Sequence, residues 1–478
     1  MMRSLFSAVS GLKTHQTRMD VIGNNISNVN TEAFKASSVR FSELMYQTLS
    51  TASAGNGATG TGGVNAKQIG LGVNTASTTI NITGAGSSET TGNPFDLKLS
   101  DSQTTNFFIV SDGTNTMFTR AGSFYVDGNG YLCMTSTGYT VQGWQVDPQT
   151  NEIRKDTVSA LQVMSPTNST ASPEATTKSY VHGVLDKEDT NLNSDDGYIM
   201  TLGIFDDLGY SYTAKFSVKP SENAQTSQGM QYHISLTDIV DSNGDSIITG
   251  DDAAKQQTLQ RIWGGNTDGY DMVFDTNKGT FVSIGTATGN EVPVSQMLNL
   301  ADGLGTGYTT TLPDGTTQTS NFANIEVDFS SAINKANGGK SSLRMEKGDD
   351  RGDGTGKKLG ALIGLTVDNS GKIYGSYDNG NTEILGQIAV AQFANASGLE
   401  KVGNNCYQTT LNSGDFDGIG VEVDADGSKI DSGELEMSNV DLSGQFTDMI
   451  VTQRGFQANS RVITVSDTLL EELINLKR

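Results

Sequence analysis

The chain has 478 residues, of which only 35% are hydrophobic and 18% are charged, and its formal net charge is −23. An acidic chain of this kind argues against a general binder of nucleic acid or of anionic membranes, since both need a basic surface. Two cysteines cannot form a multi-bridge disulfide framework, and three scattered histidines argue against a zinc site. No apolar run approaches the ~20 residues that span a bilayer, and the first residues lack the apolar core of a secretory signal. We expect no cofactor, no metal and no enzymatic activity.

An N-terminal helix is predicted over residues 1–49. Its apolar residues follow two rows of a seven-residue repeat, which is typical of a helix that packs against other helices. The first row is Leu5, Leu12, Met19 and Ile26, and the neighbouring row is Ala8, His15, Ile22 and Val29.

Residues 50–73 are predicted to be a flexible linker, because small residues dominate their first half.

The middle of the chain differs from both ends. Residues 1–50 hold five Lys/Arg and three Asp/Glu, whereas residues 435–478 hold four Lys/Arg and six Asp/Glu. The net charges of the two ends cancel, so residues 51–434 carry the whole net charge of −23. Asn-Gly and Asp-Gly pairs, which suit tight turns, separate runs rich in β-branched and aromatic residues. Strands are predicted at 107–110, 198–205, 212–218, 325–329 and 388–393.

One acidic loop in the middle has part of the spacing of a calcium-binding loop. Its oxygen-bearing side chains lie at offsets 1, 3, 5 and 12. Serine replaces glycine at the sixth position and aspartate replaces glutamate at the twelfth, so an ordinary acidic turn is the favoured interpretation. The four residues are Asp241, Asn243, Asp245 and Asp252.

A C-terminal helix is predicted over residues 435–478, with apolar residues again repeating every seven. Its row is Leu442, Met449, Phe456, Ile463 and Leu470, and a further row of Val462, Leu469 and Leu476 widens its apolar surface. A helix with so much apolar surface needs more than one neighbour. The two terminal helices are either an internal hairpin in a globular core or surfaces that assemble with other copies. Their positions at opposite ends of a β-rich chain favour assembly.

Both ends of the chain resemble the signatures of the bacterial flagellar rod and hook axial proteins. The N-terminal match runs through Asn24-Asn25-Ile26-Ser27-Asn28 and closes at Phe34-Lys35, with Ala33 where the family usually has glycine. The C-terminal match covers residues 435–442 and 448–463. Internal matches at 119–124, 143–144, 377–380 and 385–388 flank an insertion of roughly 200 residues. That insertion favours the hook members over the distal rod members, which are much shorter.

This resemblance implies a mainly β fold with α-helical termini in a discontinuous, multidomain axial protein. The N- and C-terminal helices would pair as a coiled-coil-like core domain, with an inner β domain over residues 74–150 and 356–434 and outer β-rich domains over 151–355. It implies a structural subunit of the flagellum that self-assembles into the flexible, torque-transmitting hook outside the cell after export without a cleaved signal. The implied assembly residues are Leu5, Leu12, Met19, Ile22, Ile26, Val29, Leu442, Met449, Phe456, Ile463 and Leu470.

The implied partners are further copies of the chain, the distal rod protein, the hook cap, the hook–filament junction proteins and the flagellar export apparatus, with no nucleic acid and no membrane. In some hook proteins a cysteine is cross-linked to a lysine of the next subunit. Here Cys133 lies in the inner segment, which argues against that role, and Cys406 follows an expected turn at Asn404-Asn405. The alternatives are another axial protein, such as a distal rod or junction protein, and more remotely a glycan-binding or glycan-degrading β-protein.

Overall fold

The computed structural model describes residues 2–55, 57, 60–147, 150, 152–226, 229–265, 267–285, 293–304, 308–311 and 317–476. The chain divides into two compact units. The first comprises Met1–Asn168, Gly364–Gly375 and Thr382–Arg478, and the second comprises Ser169–Ile363 and Ser376–Asn381. Most of the described residues are strands or the turns between them, and a long helix lies near each end of the chain, so the fold is mainly β with helical termini.

The described residues contain these elements in chain order: α1 (Met2–Ser27), β1 (Ser37–Glu43), β2 (Tyr46–Ser50), β3 (Lys67–Gly70), β4 (Val73–Ile80), β5 (Ser88–Thr90), β6 (Leu97–Ser100), β7 (Asn106–Ser111), β8 (Thr116–Thr119), β9 (Phe124–Val126), β10 (Leu132–Met134), β11 (Thr140–Gln145), β12 (Ser159–Ala160), β13 (Thr170–Ala171), β14 (Lys178–Leu185), β15 (Tyr198–Phe205), β16 (Ser211–Thr226), β17 (Gly229–Val240), α2 (Asp252–Ile262), β18 (Tyr270–Phe274), β19 (Phe281–Ile284), β20 (Ser295–Leu298), α3 (Leu300–Gly303), β21 (Tyr308–Thr311), β22 (Thr317–Ser320), β23 (Ile325–Asn334), β24 (Arg344–Lys347), β25 (Gly360–Val367), β26 (Lys372–Tyr377), β27 (Thr382–Ile388), β28 (Val390–Gln392), β29 (Glu400–Gly403), β30 (Cys406–Gln408), β31 (Lys429–Ser432), β32 (Glu434–Glu436) and α4 (Leu442–Asn475). Short 3₁₀ turns lie at Thr190–Asn193, Ala396–Gly398 and Val423–Asp426.

Both terminal helices are shorter than the sequence predicts. Helix α1 ends at Ser27, where the side-chain amide of the next residue, Asn28, donates to the Asn24 carbonyl at 2.9 Å and so competes for the helix backbone. Val29 therefore lies in the turn after the helix, and its prediction as part of a helical row is wrong. Helix α4 begins only at Leu442, because the Asp441 carboxylate caps it by accepting the Ser443 amide hydrogen at 3.0 Å.

The segment predicted as a flexible linker forms a paired hairpin. Strands β2 and β3 pair antiparallel, and the bridge between Ser53 and Val64 extends the hairpin towards its tip. The small residues stand near the tip, whereas β-forming residues such as Tyr46 and Ile69 occupy the arms, which explains the pairing. Strand β1, which precedes the hairpin, pairs antiparallel with β4, which follows it.

The body of the first unit is an antiparallel sheet with the order β27-β11-β7-β8-β30-β29. The predicted strand at 107–110 is confirmed as β7, whose Phe107 and Phe108 point to opposite sides of the sheet. Phe108 packs in a core with Phe124 and Leu132, and Phe107 packs in another with Trp144 and Tyr407. A fully buried central strand of this kind reads as a continuous apolar run.

The second unit contains two sheets over one shared core. One has the order β15-β16-β17-β18-β19, and the other has the order β20-β23-β14-β24. Along β15 the alternate residues Met200, Leu202 and Ile204 are buried, which is the period-two pattern of a strand with one covered face. Trp263 lies in the same core. The predicted strands at 198–205, 212–218 and 325–329 are confirmed in β15, β16 and β23.

Candidate assembly interface

Helices α1 and α4 pack side by side in opposite directions. Near the start of α1, Gly11 contacts Asn459. Further along, the Arg18 guanidinium lies 3.0 Å from the Asp448 carboxylate. Nearer the end of α1, Asn25 donates to Gln445 at 3.1 Å. The partner number falls as the α1 number rises, so the helices are antiparallel, and the two ends of the chain are joined through contacts that bridge more than 400 residues of sequence.

Small residues let the two helices approach closely. A Cβ atom on Gly11 would lie 2.7 Å from the Asn459 side-chain nitrogen, and a Cβ atom on Gly455 would lie 2.7 Å from the His15 ring. At both positions a larger residue would require the neighbouring side chain to move. The helices therefore meet through glycine and short polar side chains at these two points, where the sequence pattern predicts an apolar seam.

The predicted assembly residues occupy several different positions. Ile22 is buried in the helix pair, whereas the remaining α1 residues and three of the α4 residues are only half-buried. Leu442 and Phe456 are exposed. The residues of the pair that are most buried, Ile22 among them, are Ala8, Gly11, Thr14, Ile22 and Asn25 of α1 and Thr452 and Ser466 of α4. Two of these buried residues, Ala8 and Ile22, belong to the neighbouring seven-residue row of the sequence, whose small and polar members weaken its apolar signal.

Large apolar side chains of both helices remain exposed. On α1 these include Phe6, at 63% exposure, and on α4 they include Ile450, at 59%, and Val465, at 58%. Others on the two helices are Met2, Val9, Leu442, Phe446, Val451, Phe456, Val462, Leu469, Leu473, Ile474 and Leu476. An exposed apolar surface of this extent is typical of a protein–protein interface rather than of the solvent-facing surface of a monomer.

A buried ionic cluster ties the segment after α1 to the segment before α4. The Glu436 carboxylate lies 2.7 Å from the Lys35 ammonium and 3.0 Å from the Arg120 guanidinium, and all three side chains are at most 2% exposed. Arg120 also lies 2.7 Å from Asp101. Burial alone would raise the pKa of Glu436, but Arg120 and Lys35 together hold that pKa below its ordinary value.

Each of three motifs that are far apart in sequence contributes one charged residue to this cluster. Lys35 closes the N-terminal motif, Arg120 belongs to the internal motif at 119–124, and Glu436 lies in the C-terminal motif. The N-terminal and C-terminal motifs are also joined by a backbone contact, since the Ala33 amide donates to the Glu436 carbonyl at 2.8 Å. Ala33 has a φ of 52°, in the left-handed region that favours glycine, which gives a physical reason for the glycine usual at this position.

The remaining candidates from the sequence lie in ordinary turns, strands or clefts. The Asp241 carboxylate accepts the backbone amides of Asn243 and Asp245, which is a closed acidic turn, and Asp252 lies in the first turn of α2. Among the described residues, no group of three His, Cys, Asp or Glu side chains is placed to hold a metal ion. Cys133 and Cys406 are both buried free thiols.

A cleft of about 370 Å³ in the second unit gathers several carboxylates, which is the arrangement that a glycan-degrading protein would need. There, Asp349 bonds to Lys178 at 2.9 Å, and this bond together with backbone amides lowers the pKa of Asp349 to about 2. A glycosidase acid needs the opposite shift. In the part of the chain that the structure describes, no helix is both long and apolar enough to cross a membrane.

Three family models match separate parts of the chain. The flagella basal body rod protein model matches residues 5–35, the flagellar hook protein FlgE/F/G D1 domain model matches 103–171, and the flagellar basal body rod FlgEFG protein C-terminal model matches 431–476. The chain is 36% identical to the flagellar hook protein FlgE of Treponema pallidum (strain Nichols) over 492 aligned positions that cover all of both chains. The chain belongs to the flagellar hook protein family.

Other hook proteins and a rod protein also align over the full chain. Identity is 35% to the hook protein FlgE of Borreliella burgdorferi, with complete coverage of both chains. It is 27% to the flagellar basal-body rod protein FlgG of Bacillus subtilis, again with complete coverage of both. A crystal structure of the Helicobacter pylori flagellar hook protein FlgE2 aligns with 72% of this chain and 98% of that chain, at 13% identity and a TM-score of 0.38. Hook-family membership thus rests on sequence.

Proposed function

We propose that the chain is the structural subunit that polymerises into the flagellar hook, the flexible coupling that passes torque from the rod to the filament. The observation that carries the proposal is the apolar surface of α1 and α4, which the chain itself leaves uncovered. Hydrophobic burial contributes about 25 cal/mol for each Å² removed from water, so neighbouring copies that cover these side chains would stabilise the polymer strongly.

In this proposal the two terminal helices form a coiled-coil-like core domain that lines the polymer. The inner β domain (residues 74–150 and 356–434) and the outer domains (residues 151–355) lie successively outward. The near-neutral ends support this arrangement, because many copies can pack there without accumulating like charge, whereas the −23 of residues 51–434 would face solvent. The proposed role is structural rather than catalytic. The proposed partners are other copies, the distal rod protein, the hook cap, the junction proteins and the export apparatus.

The test replaces two exposed apolar residues of α4 with glutamine, in the double variant Ile450→Gln/Val465→Gln. The control is Ile199→Gln, since Ile199 is similarly exposed, at 55%, but lies on β15 in the second unit. Pelleting and electron microscopy measure polymer, and circular dichroism measures the fold of the monomer. We expect the double variant to fold normally and to lose polymerisation, while the control assembles like the wild type. Normal assembly of the double variant would refute the proposal.

Truncation gives a second test of the same proposal. Deleting residues 1–30 or 440–478 removes one helix but keeps Lys35, Arg120 and Glu436, so the β body should stay soluble and folded but unable to polymerise. In cells, a deletion strain that loses the hook but keeps an intact rod supports a hook subunit, whereas loss of the distal rod would support a rod protein.

A further inference from the structure

His15 lies at the contact between α1 and α4 and is held on two sides. On one side its ring rests against Gly455, where an added Cβ atom would lie 2.7 Å from Cε1 and 2.8 Å from Nε2. On another side the Phe41 ring of β1 meets it edge-on, with ring centroids 5.6 Å apart. The half-buried imidazole is therefore packed between α4 and β1.

One nitrogen of this ring is buried without a hydrogen-bond partner. The atom is Nδ1, and the hydroxyl oxygen of the fully buried Thr452 on α4 is likewise unpartnered among the described atoms. A neutral imidazole can leave one nitrogen as an unpaired acceptor. An imidazolium must donate from both nitrogens, so protonation would place an unsatisfied, charged N–H inside the helix contact.

The charges near the ring do not offset this penalty. From α1, Arg18 adds a second positive charge, and its guanidinium is bonded to Asp448 of α4. Also on α4, Arg454 is bonded to Gln457. On β1, Arg40 precedes Phe41, and Glu43 accepts a hydrogen bond from Tyr46. Strand β4, the other strand packed on α1, carries no charged residue.

We propose that His15 is a proton-sensitive latch of the terminal helix pair: the neutral ring closes the contact between α1 and α4, and protonation of the ring opens it. The property belongs to the single chain and goes beyond the proposed assembly role. Burial first, and then the Arg18 charge, lowers the pKa of His15 below its ordinary 6.5. A base whose pKa is lowered by folding contributes its stability fully above 6.5, and that stability is lost as the pH falls through the folded-state pKa.

Two measurements on the full chain test the latch. With three histidines in the sequence, ¹³C labelling of the histidine rings gives three titration curves, and the His15 curve should have a pKa below 6.5. Hydrogen exchange, corrected for the intrinsic effect of pH on exchange, compares α1 and α4 at pH 7.5 and pH 5. Protection should fall at the lower pH, by up to about tenfold for each unit by which the pKa is lowered. Peptides from Asn106–Ser111 should not change.

Two substitutions separate the latch from general acid sensitivity. His15→Gln cannot gain a proton, so its helix pair should keep the same protection at both pH values. His233→Gln is the matched control, because His233 lies on β17 and is bonded to Asp271 at 2.9 Å; it should behave like the wild type. Equal acid sensitivity in His15→Gln and the wild type overturns the proposal, as does a wild-type pair that is unaffected by acid. If α1 and α4 of His15→Gln do not pair at either pH, the titration of the wild-type chain is the deciding measurement. A His15 pKa of 6.5 or above then overturns the proposal.

Discussion

Replacing Glu436 with alanine tests whether the buried ionic cluster holds the first unit together. The carboxylate lies 2.7 Å from Lys35 and 3.0 Å from Arg120, and it also accepts the Gly86 amide at 3.0 Å. After the substitution Arg120 still has Asp101 and the carbonyls of Asn106 and Leu99, whereas among the described residues Lys35 keeps one hydrogen-bond partner, the carbonyl of Gly84. The ammonium of Lys35 is then the charge that has lost its directly bonded counterion.

Breaking one side of a buried pair costs about 3–5 kcal/mol, because the remaining charge stays desolvated. We therefore expect Glu436→Ala to lower the free energy of unfolding of the first unit by this amount. The matched control is Glu434→Ala, two residues away. Glu434 lies 3.5 Å from Lys98 and its side chain is one-third exposed, so its loss should cost about 1 kcal/mol or less.

Urea unfolding monitored by tryptophan fluorescence measures the difference. The chain has two tryptophans, Trp144 in the first unit and Trp263 in the second, so all variants are made in a Trp263→Phe background, where Trp144 alone reports the first unit. Adding Lys35→Met to Glu436→Ala should recover part of the loss, since it removes the orphaned charge. A structural role for the cluster is refuted if Glu436→Ala costs no more free energy than Glu434→Ala, or if Lys35→Met adds its own full cost to that of Glu436→Ala.

Three further outcomes can be measured on the purified chain. Ala33→Gly should raise the free energy of unfolding by up to about 1 kcal/mol in urea, because the residue has a φ of 52°; a clear loss would contradict this. Gly23→Ala should stabilise the protein by up to about 1 kcal/mol in thermal unfolding, since an added Cβ atom meets nothing within 4 Å, whereas Gly11→Ala should gain less than this, because its Cβ atom would lie 2.7 Å from the Asn459 side-chain nitrogen and would have to displace it. An equal gain from both substitutions would refute the close approach of the helices at Gly11. Burial raises the pKa of Cys406 to about 11, and burial and then Asp127 raise that of Cys133, so a thiol reagent at pH 8 should label neither until urea is added.

The sequence predicts the secondary structure best where a pattern is local. Strand β15 alternates over eight residues and β7 is a short apolar run, so both can be identified without tertiary information. The end of α1 at Ser27 is harder to predict, because the seven-residue repeat continues to Val29 although the helix stops before Asn28. The composition of residues 50–73 predicts a linker in place of the β2–β3 hairpin, since small residues dominate the first half of this range and the two strands are short.

The contacts between the helices depend on information that the repeat does not contain. Larger residues such as Leu12 define the clearest row, yet only the antiparallel register of the pair determines that Gly11 and Gly455 lie at the closest approaches. The ionic cluster is a similar case. The motifs mark Lys35 and Glu436 as parts of two signatures, but their salt bridge spans 401 residues of sequence, a separation that no local pattern can bridge.

That separation has a kinetic consequence. Joining residues 35 and 436 closes a loop of 401 residues, for which the (3/2)RT ln n dependence corresponds to about 5 kcal/mol of chain entropy. Pairing among the intervening strands shortens this loop, but the cluster still requires Glu436 and the helix pair still requires α4, so neither can form before that C-terminal segment is available. A chain threaded from its N-terminus thus emerges with its first helix unpaired, and its core closes only when its end arrives.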